Sequence, residues 1–212
     1  MAVDAFKLEA EQSYGRAGGL ERLILSLNAL VADELDASAV ASRAGMFLHA
    51  ALDDPGLLES RHCEPAADRY RQHLVHVHPV GRYSIVALVW KPGQATPIHD
   101  HRCWCVVGVW RGLERETTYD LHGDDDPYVV SRGSTVSQRG DVSVLVPPDE
   151  DVHRVENCGT TLAISVHVYG ADISVLGSSI NREFPEERVR VRPRRPDDAV
   201  PVSWRALERR AA

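Results

Sequence analysis

Two histidines one residue apart, His99 and His101, stand in the run from Gly93 to Cys105 that also holds Pro97, Ile98 and Asp100. A pair at this spacing reaches one metal ion only from an extended backbone, because alternate side chains of a strand share a face. Imidazole is a common metal ligand, and two on one strand face supply part of a coordination shell. A third ligand must come from elsewhere. His153, which follows the Pro147-Pro148 turn, is the candidate. Ser165, His167 and Tyr169 alternate in the same way. A hydrogen-bonded chain through them would orient a phenol toward the metal and tune its acidity. His73, His76 and His78 form a rival cluster with no third ligand and read as strand-face polar residues. His62 and His122 fall in predicted loops and read as solvent-exposed.

These residues need strands to carry them. From about Tyr70 the hydrophobic period is two, and the pattern predicts strands over His73–His78, Tyr83–Trp90, Cys103–Trp110, Glu114–Leu121, Tyr128–Ser131, Asp141–Val146 and Leu162–Tyr169. Short strands at such spacing suggest a sandwich or a jelly-roll barrel. Ahead of them, Leu20, Leu23, Leu27, Leu30 and Val31 recur at helical spacing and predict a helix from Gly19 to about Leu35. Asp36-Ala37-Ser38 offers a cap for a second helix over Ala39–Asp53, with Val40, Met46, Phe47 and Leu48 as its apolar residues. After Phe184 the composition shifts to Arg and Pro, and Trp204–Arg209 reads as a short helix. The expected organisation is one structural domain. Residues 1–64 form a helical segment packed on a barrel of residues 65–184, and residues 185–212 form an extended arm.

The motifs resemble those of a known fold family. Gly93, His99, His101, Cys105 and Gly112 are spaced like the first motif of the cupin barrels, and Gly140, His153 and Asn157 resemble the second. Cys105 stands where many cupins place a ligand glutamate. Within the cupins, Pro97-Ile98-His99-Asp100-His101 and Ser165-Val166-His167-Val168-Tyr169 resemble the thiol dioxygenases of the cysteine dioxygenase type, over roughly residues 65 to 185. The resemblance implies a mainly β, double-stranded β-helix barrel with N-terminal helices. It also implies one Fe(II) per chain on His99, His101 and His153, with O2 as co-substrate and a small thiol as substrate, oxidised to its sulfinic acid. It gives Tyr169, supported by His167 and Ser165, a catalytic role.

Two positions bear on chemistry within that resemblance. Cys105 matches a cysteine that in some members forms a thioether with the tyrosine corresponding to Tyr169, and the sequence leaves open whether the bond forms here. Gln72 lies where the cysteine-specific enzymes have an arginine that clamps the substrate carboxylate. Glutamine offers neutral hydrogen bonds in place of a charged fork, so the stretch is most similar to the 3-mercaptopropionate dioxygenases. Arg71 would point away from Gln72, whereas Arg82 or Arg102 could supply the missing charge. Three neutral imidazoles would leave up to three positions open on an octahedral metal. Losing a carboxylate at Cys105 makes the site more cationic and favours a thiolate ligand. The alternatives are another metal-dependent cupin enzyme, such as an isomerase or a carbon-cleaving dioxygenase, or a non-catalytic cupin sensor.

Bulk composition agrees with this reading. The 212 residues are enough for one domain with a real core. A formal net charge of −7 argues against a nucleic-acid partner. The four cysteines form no C-x-x-C pair. The first residues carry no signal-like apolar run, and no stretch is long enough to span a bilayer. The expectation is a cytoplasmic monomer or homodimer with reduced thiols and no membrane partner.

Overall fold

The computed structural model describes residues 18–123, 125–148 and 151–190. The first helix, α1 (Gly19–Leu30), buries Leu23, Leu27 and Leu30 as its periodicity requires. It stops short of the predicted Leu35. Asp33 and Glu34 follow, and acidic residues at a helix C-terminus oppose its dipole. The Arg82 guanidinium instead reaches the free carbonyl of Val31. The second helix, α2 (Ala37–Ala51), is capped by the Asp36 carboxylate, which accepts from the Ala39 amide at 2.9 Å. Its buried face is Val40, Ala41, Ala44, Gly45, Leu48 and Ala51. Met46, expected among the apolar contacts, lies on the outer face at 70% exposure.

Eleven strands follow among the described residues: β1 (Arg71–Val77), β2 (Ser84–Trp90), β3 (Ile98–His101), β4 (Cys105–Arg111), β5 (Leu113–His122), β6 (Tyr128–Gln138), β7 (Val142–Leu145), β8 (His153–Asn157), β9 (Ala163–Tyr169), β10 (Ile180–Phe184) and β11 (Val189–Arg190). A short helix, α3 (Ile173–Leu176), separates β9 from β10. One sheet has the order β1-β2-β9-β4-β7 and the other β10-β3-β8-β5-β6-β11. This is the expected mainly β double-stranded β-helix with helices on its outside. The second sheet's long hairpin exceeds the prediction, because β6 continues through Ser131-Arg132-Gly133-Ser134. That loop-like composition is held extended by pairing with β5, so cross-strand bonding overrides propensity.

The central strands of the first sheet are buried on both faces, including every residue of β2 and β9. Ile85, Ala87 and Val89 of β2, with Ile164, Val166 and Val168 of β9, pack in the same core cluster as the helices. Val86, Leu88 and Trp90 of β2, with Cys105 and Val107 of β4 and Tyr169 of β9, face the barrel interior. Alternation therefore sorts each central strand into an outer apolar face and an inner face free for polar groups. Gly112, which closes the first motif, turns the chain from β4 to β5 at φ +84°, and a Cβ there would sit 2.6 Å from Ala163 Cα. Both the left-handed backbone and the close approach call for glycine.

No described helix is long and apolar enough to cross a membrane. Of the C-terminal arm, Glu186–Arg188 forms a single 3₁₀ turn and β11 pairs parallel to β6. The rest of the arm, including the expected helix Trp204–Arg209, lies outside the described residues. So do Asp149 and Glu150.

Candidate metal centre

His99 and His101 share the inner face of β3, and His153 at the start of β8 stands directly opposite His99. Their ring centroids lie 4.7 Å (His99–His153), 4.8 Å (His99–His101) and 4.9 Å (His101–His153) apart. One nitrogen from each lies within 4.8 Å of the others, and all three residues are buried. The spacing that required an extended strand is thus met on β3, and antiparallel pairing brings in the distant third imidazole.

The partners of the rings decide which nitrogens are offered. His99 Nδ1 lies 2.9 Å from the Pro97 carbonyl oxygen and donates to it. His153 Nδ1 lies 2.6 Å from Glu116 Oε1. Each bond fixes a ring and leaves Nε2 to face the centre. His101 is held by its backbone amide, which donates to Asp151 Oδ2 at 2.8 Å. The same oxygen stands 3.6 Å from its Nδ1, too far for a hydrogen bond. Burial, with the charges of His153 and His101, drops the pKa of His99 to about 2. Burial also lowers that of His153, against the opposing pull of Glu116. Both imidazoles are therefore neutral and able to ligate. Burial by itself would push the Glu116 carboxyl up, but hydrogen bonds from His153 and Ser143 hold it below the usual range. Three buried imidazoles, each with a nitrogen converging on one point, fit a divalent transition metal.

Beside this centre, Ser165, His167 and Tyr169 face inward from β9. Tyr169 Oη lies 3.1 Å from His167 Nδ1, and His167 Nε2 lies 3.0 Å from Ser165 Oγ. Burial drops the His167 pKa to about 3 and pushes the Tyr169 phenol well above its ordinary value. Cys105 stands opposite Tyr169 across β4 and β9, with its Sγ 3.9 Å from His167 Nδ1. Cys103 lies outside β4, in the turn that precedes it. Gln72, on β1, lines the mouth of the cavity with Tyr70. The space left by the imidazoles is tight, about 20 Å³. Beside it lies a wider recess of about 870 Å³, which shares Tyr70, Gln72 and Ile180 and adds Arg69 and Arg71.

The remaining candidates separate cleanly. His73 Nε2 bonds the Glu64 carbonyl at 2.8 Å, and His76 and His78 pack against Tyr83. His62 is 7% exposed, which corrects the expectation of a solvent-facing residue: Ser60–Cys63 is a 3₁₀ turn packed under β1 and β2. His122 ends β5, exposed, with its ring stacked on Tyr128. Neither arginine considered for the missing charge lines the cavity. Arg82 is engaged at the helices, and Arg102 Nε donates to the Ile180 carbonyl at 2.9 Å. Glu116, Asp151, Trp90 and Tyr70 were not singled out from sequence. The Glu114-x-Glu116 spacing on a predicted barrel strand was the available signal for a buried carboxylate.

Comparison with known proteins follows the same lines. The family model described as cysteine dioxygenase type I matches residues 23–176, more than half of the chain. A protein with a double-stranded β-helix domain from Klebsiella pneumoniae is similar at 19% identity, covering 56% of this chain and 92% of that one, with a TM-score of 0.41. An RmlC-like cupin protein from Desulfovibrio desulfuricans is similar at 23% identity, covering 56% and 95%, with a TM-score of 0.38. The extent of the family match makes the assignment: this chain belongs to the cysteine dioxygenase type I family.

Proposed function

We propose that the protein is a mononuclear non-haem iron(II) thiol dioxygenase acting on a small mercapto-carboxylic acid, of which 3-mercaptopropionate is the favoured candidate and a cysteine-like thiol the runner-up. The observation that carries this reading is the trio of buried imidazoles beside the Tyr169–His167–Ser165 chain, in a member of this family. His99, His101 and His153 would hold the metal. When bound, iron(II) would supply open coordination positions at which a thiolate and dioxygen meet. The reaction balances without a further reductant: the thiol sulfur gives up the electrons, both atoms of O2 are bonded to it, and the product is the sulfinic acid.

The chain's own residues would do the rest. Tyr169 hydrogen-bonds the reactants, and His167 with Ser165 holds its phenol in place. Tyr70, stacked on Trp90 with centroids 4.5 Å apart, walls the cavity against water. Gln72, at the mouth, donates neutral hydrogen bonds to the substrate carboxylate. Arg82 and Arg102 are committed elsewhere, which supports a weaker carboxylate clamp than an arginine would make. The tight cavity favours a ligand of few heavy atoms.

Oxygen uptake by the iron-loaded chain, with 3-mercaptopropionate and L-cysteine offered separately, tests the reading. One sulfinate formed per O2 consumed, with 3-mercaptopropionate preferred, is the expected result. A preference for cysteine would overturn the role given to Gln72, and no uptake with any small thiol would overturn the dioxygenase assignment.

A further inference from the structure

The hydrogen-bonded chain does not end at Ser165. Glu114, on β5, is 2% exposed and has its carboxyl group within hydrogen-bonding reach of the Ser165 hydroxyl. Its Oε1 is buried without a partner among the described residues. Trp90 Nε1 lies 3.2 Å from Ser165 Oγ, and because an indole only donates, it always occupies one lone pair of that hydroxyl. One lone pair and one proton remain. They must serve His167 Nε2 and the Glu114 carboxyl between them.

Only two complete arrangements satisfy that count. With a proton on Glu114, its O–H donates to Ser165, Ser165 donates to His167 Nε2, and His167 Nδ1–H donates to Tyr169. The phenol proton is then free to point into the metal cavity or at Ser179, which also lies within hydrogen-bonding reach of the phenol. With Glu114 ionised, Ser165 must donate to the carboxylate and His167 Nε2–H to Ser165. Tyr169 then gives its proton to Nδ1 and offers the cavity a lone pair only. We propose that Glu114 is the fourth member of this chain, a positioning residue whose proton sets the tautomer of His167 and thereby whether Tyr169 meets the reactants as a hydrogen-bond donor. The switch in His167 does not depend on the dioxygenase reading; only the consequence at Tyr169 rests on it.

The surroundings favour the protonated form at neutral pH. Glu114 shares a small cavity with Val107, Val109 and Val155, and the titratable groups facing it there are Glu116 and Asp141, both acids. No basic side chain lines that cavity. Burial raises the Glu114 pKa to about 8, Ser165 opposing and Glu116 reinforcing the shift.

The test is nitrogen NMR of His167 in the full chain, with zinc(II) added as a diamagnetic probe, titrated from about pH 6 to about pH 10. The proposal expects His167 Nδ1 to carry the proton at neutral pH and to lose it to Nε2 as the Glu114 carboxyl carbon reports ionisation. Glu114→Gln, whose amide can still donate to Ser165, should keep the proton on Nδ1 throughout. In turnover, the wild type should lose activity ~10-fold per pH unit above the midpoint, and E114Q should lose that alkaline limb. A wild-type tautomer that does not change while Glu114 ionises overturns the proposal, and so does an E114Q titration that matches the wild type. A tautomer switch in a chain that oxidises no thiol would sustain the proposal and refute the dioxygenase assignment instead.

Discussion

His153 Nδ1 and Glu116 Oε1 lie 2.6 Å apart, so the third imidazole of the site is aimed by a carboxylate from a neighbouring strand. Glu116 also accepts from Ser143 Oγ at 3.1 Å, which fixes the carboxylate in turn. Such partners orient a ligand and raise its basicity. Replacing Glu116 with Ala should weaken metal binding roughly 10- to 100-fold, measured by competition with a chelator of known affinity. Unchanged affinity would mean that the strand pairing of His99 with His153 positions the ring without help.

Cys105 and Tyr169 face each other across β4 and β9, both fully buried. Under the proposed function this facing pair is the one that a thioether would join. Iron-loaded protein turned over in air is expected to accumulate a species lighter by two hydrogen atoms, with the Cys105 and Tyr169 peptides linked. Cys105→Ser should abolish that species and leave the metal site intact. Intact mass spectra unchanged after many turnovers would show that the two side chains pack without bonding.

Glu114 and the buried histidines give the metal-free chain opposite pH dependences at the two ends. Glu114 is raised from 4.5 to about 8, so in the window between those values the folded state holds a proton that the unfolded chain has released. Stability therefore falls as pH rises through that window. His99 and His167 are depressed from 6.5 to about 2 and about 3. The unfolded chain binds protons that these folded residues do not, and stability falls as pH drops below 6.5. Near pH 6.5 the unfolded histidines are still half protonated and oppose this trend. The Glu114 contribution, a loss of about 1.5 kcal/mol between pH 6.5 and 8, is therefore read as the difference between wild type and E114Q. Denaturant midpoints of the two proteins across that interval should converge as pH rises if Glu114 holds its proton, and run parallel if it does not.

Gly170, directly after Tyr169, lies against the Trp104 ring, and a Cβ there would overlap the indole. Its amide also donates to the Trp104 carbonyl at 2.9 Å. Gly170→Ala should cost about 1–3 kcal/mol through overpacking. Because the displaced backbone adjoins Tyr169, turnover should fall more than the loss of folded protein explains. Thermal melts beside activity per folded molecule separate the two effects.

Substrate choice tests the mouth of the cavity. Gln72→Arg would put a charged, bidentate donor where a neutral one now stands. The ratio of kcat/KM for 3-mercaptopropionate over that for a thiol without a carboxylate, such as 2-mercaptoethanol, should rise by ~10-fold or more, as a charge-assisted bond exceeds a neutral one by ~1.5 kcal/mol. An unchanged ratio would place carboxylate recognition elsewhere, with Arg69 of the adjoining recess the next residue to change.

Much of the site was legible in the sequence because strand periodicity is local. The alternation that puts His99 with His101, and Ser165 with His167 and Tyr169, depends only on extended backbone, and the motif spacing singled out His153. The central strands, the double-sheet barrel and the two helices were legible for the same reason. Quantities set by non-local contacts were not. Nothing near Met46 marks it as outward-facing, and His62 is buried only because β1 and β2 lie above its turn. The length of β6 came from its partner strand. Glu114 and Glu116 read as an ordinary alternating pair until the barrel closed, which set one against His153 and the other against Ser165. Sequence by itself determined which side chains share a strand face. Only the tertiary structure decided which faces meet, because register between distant strands is set by the packing of the whole barrel.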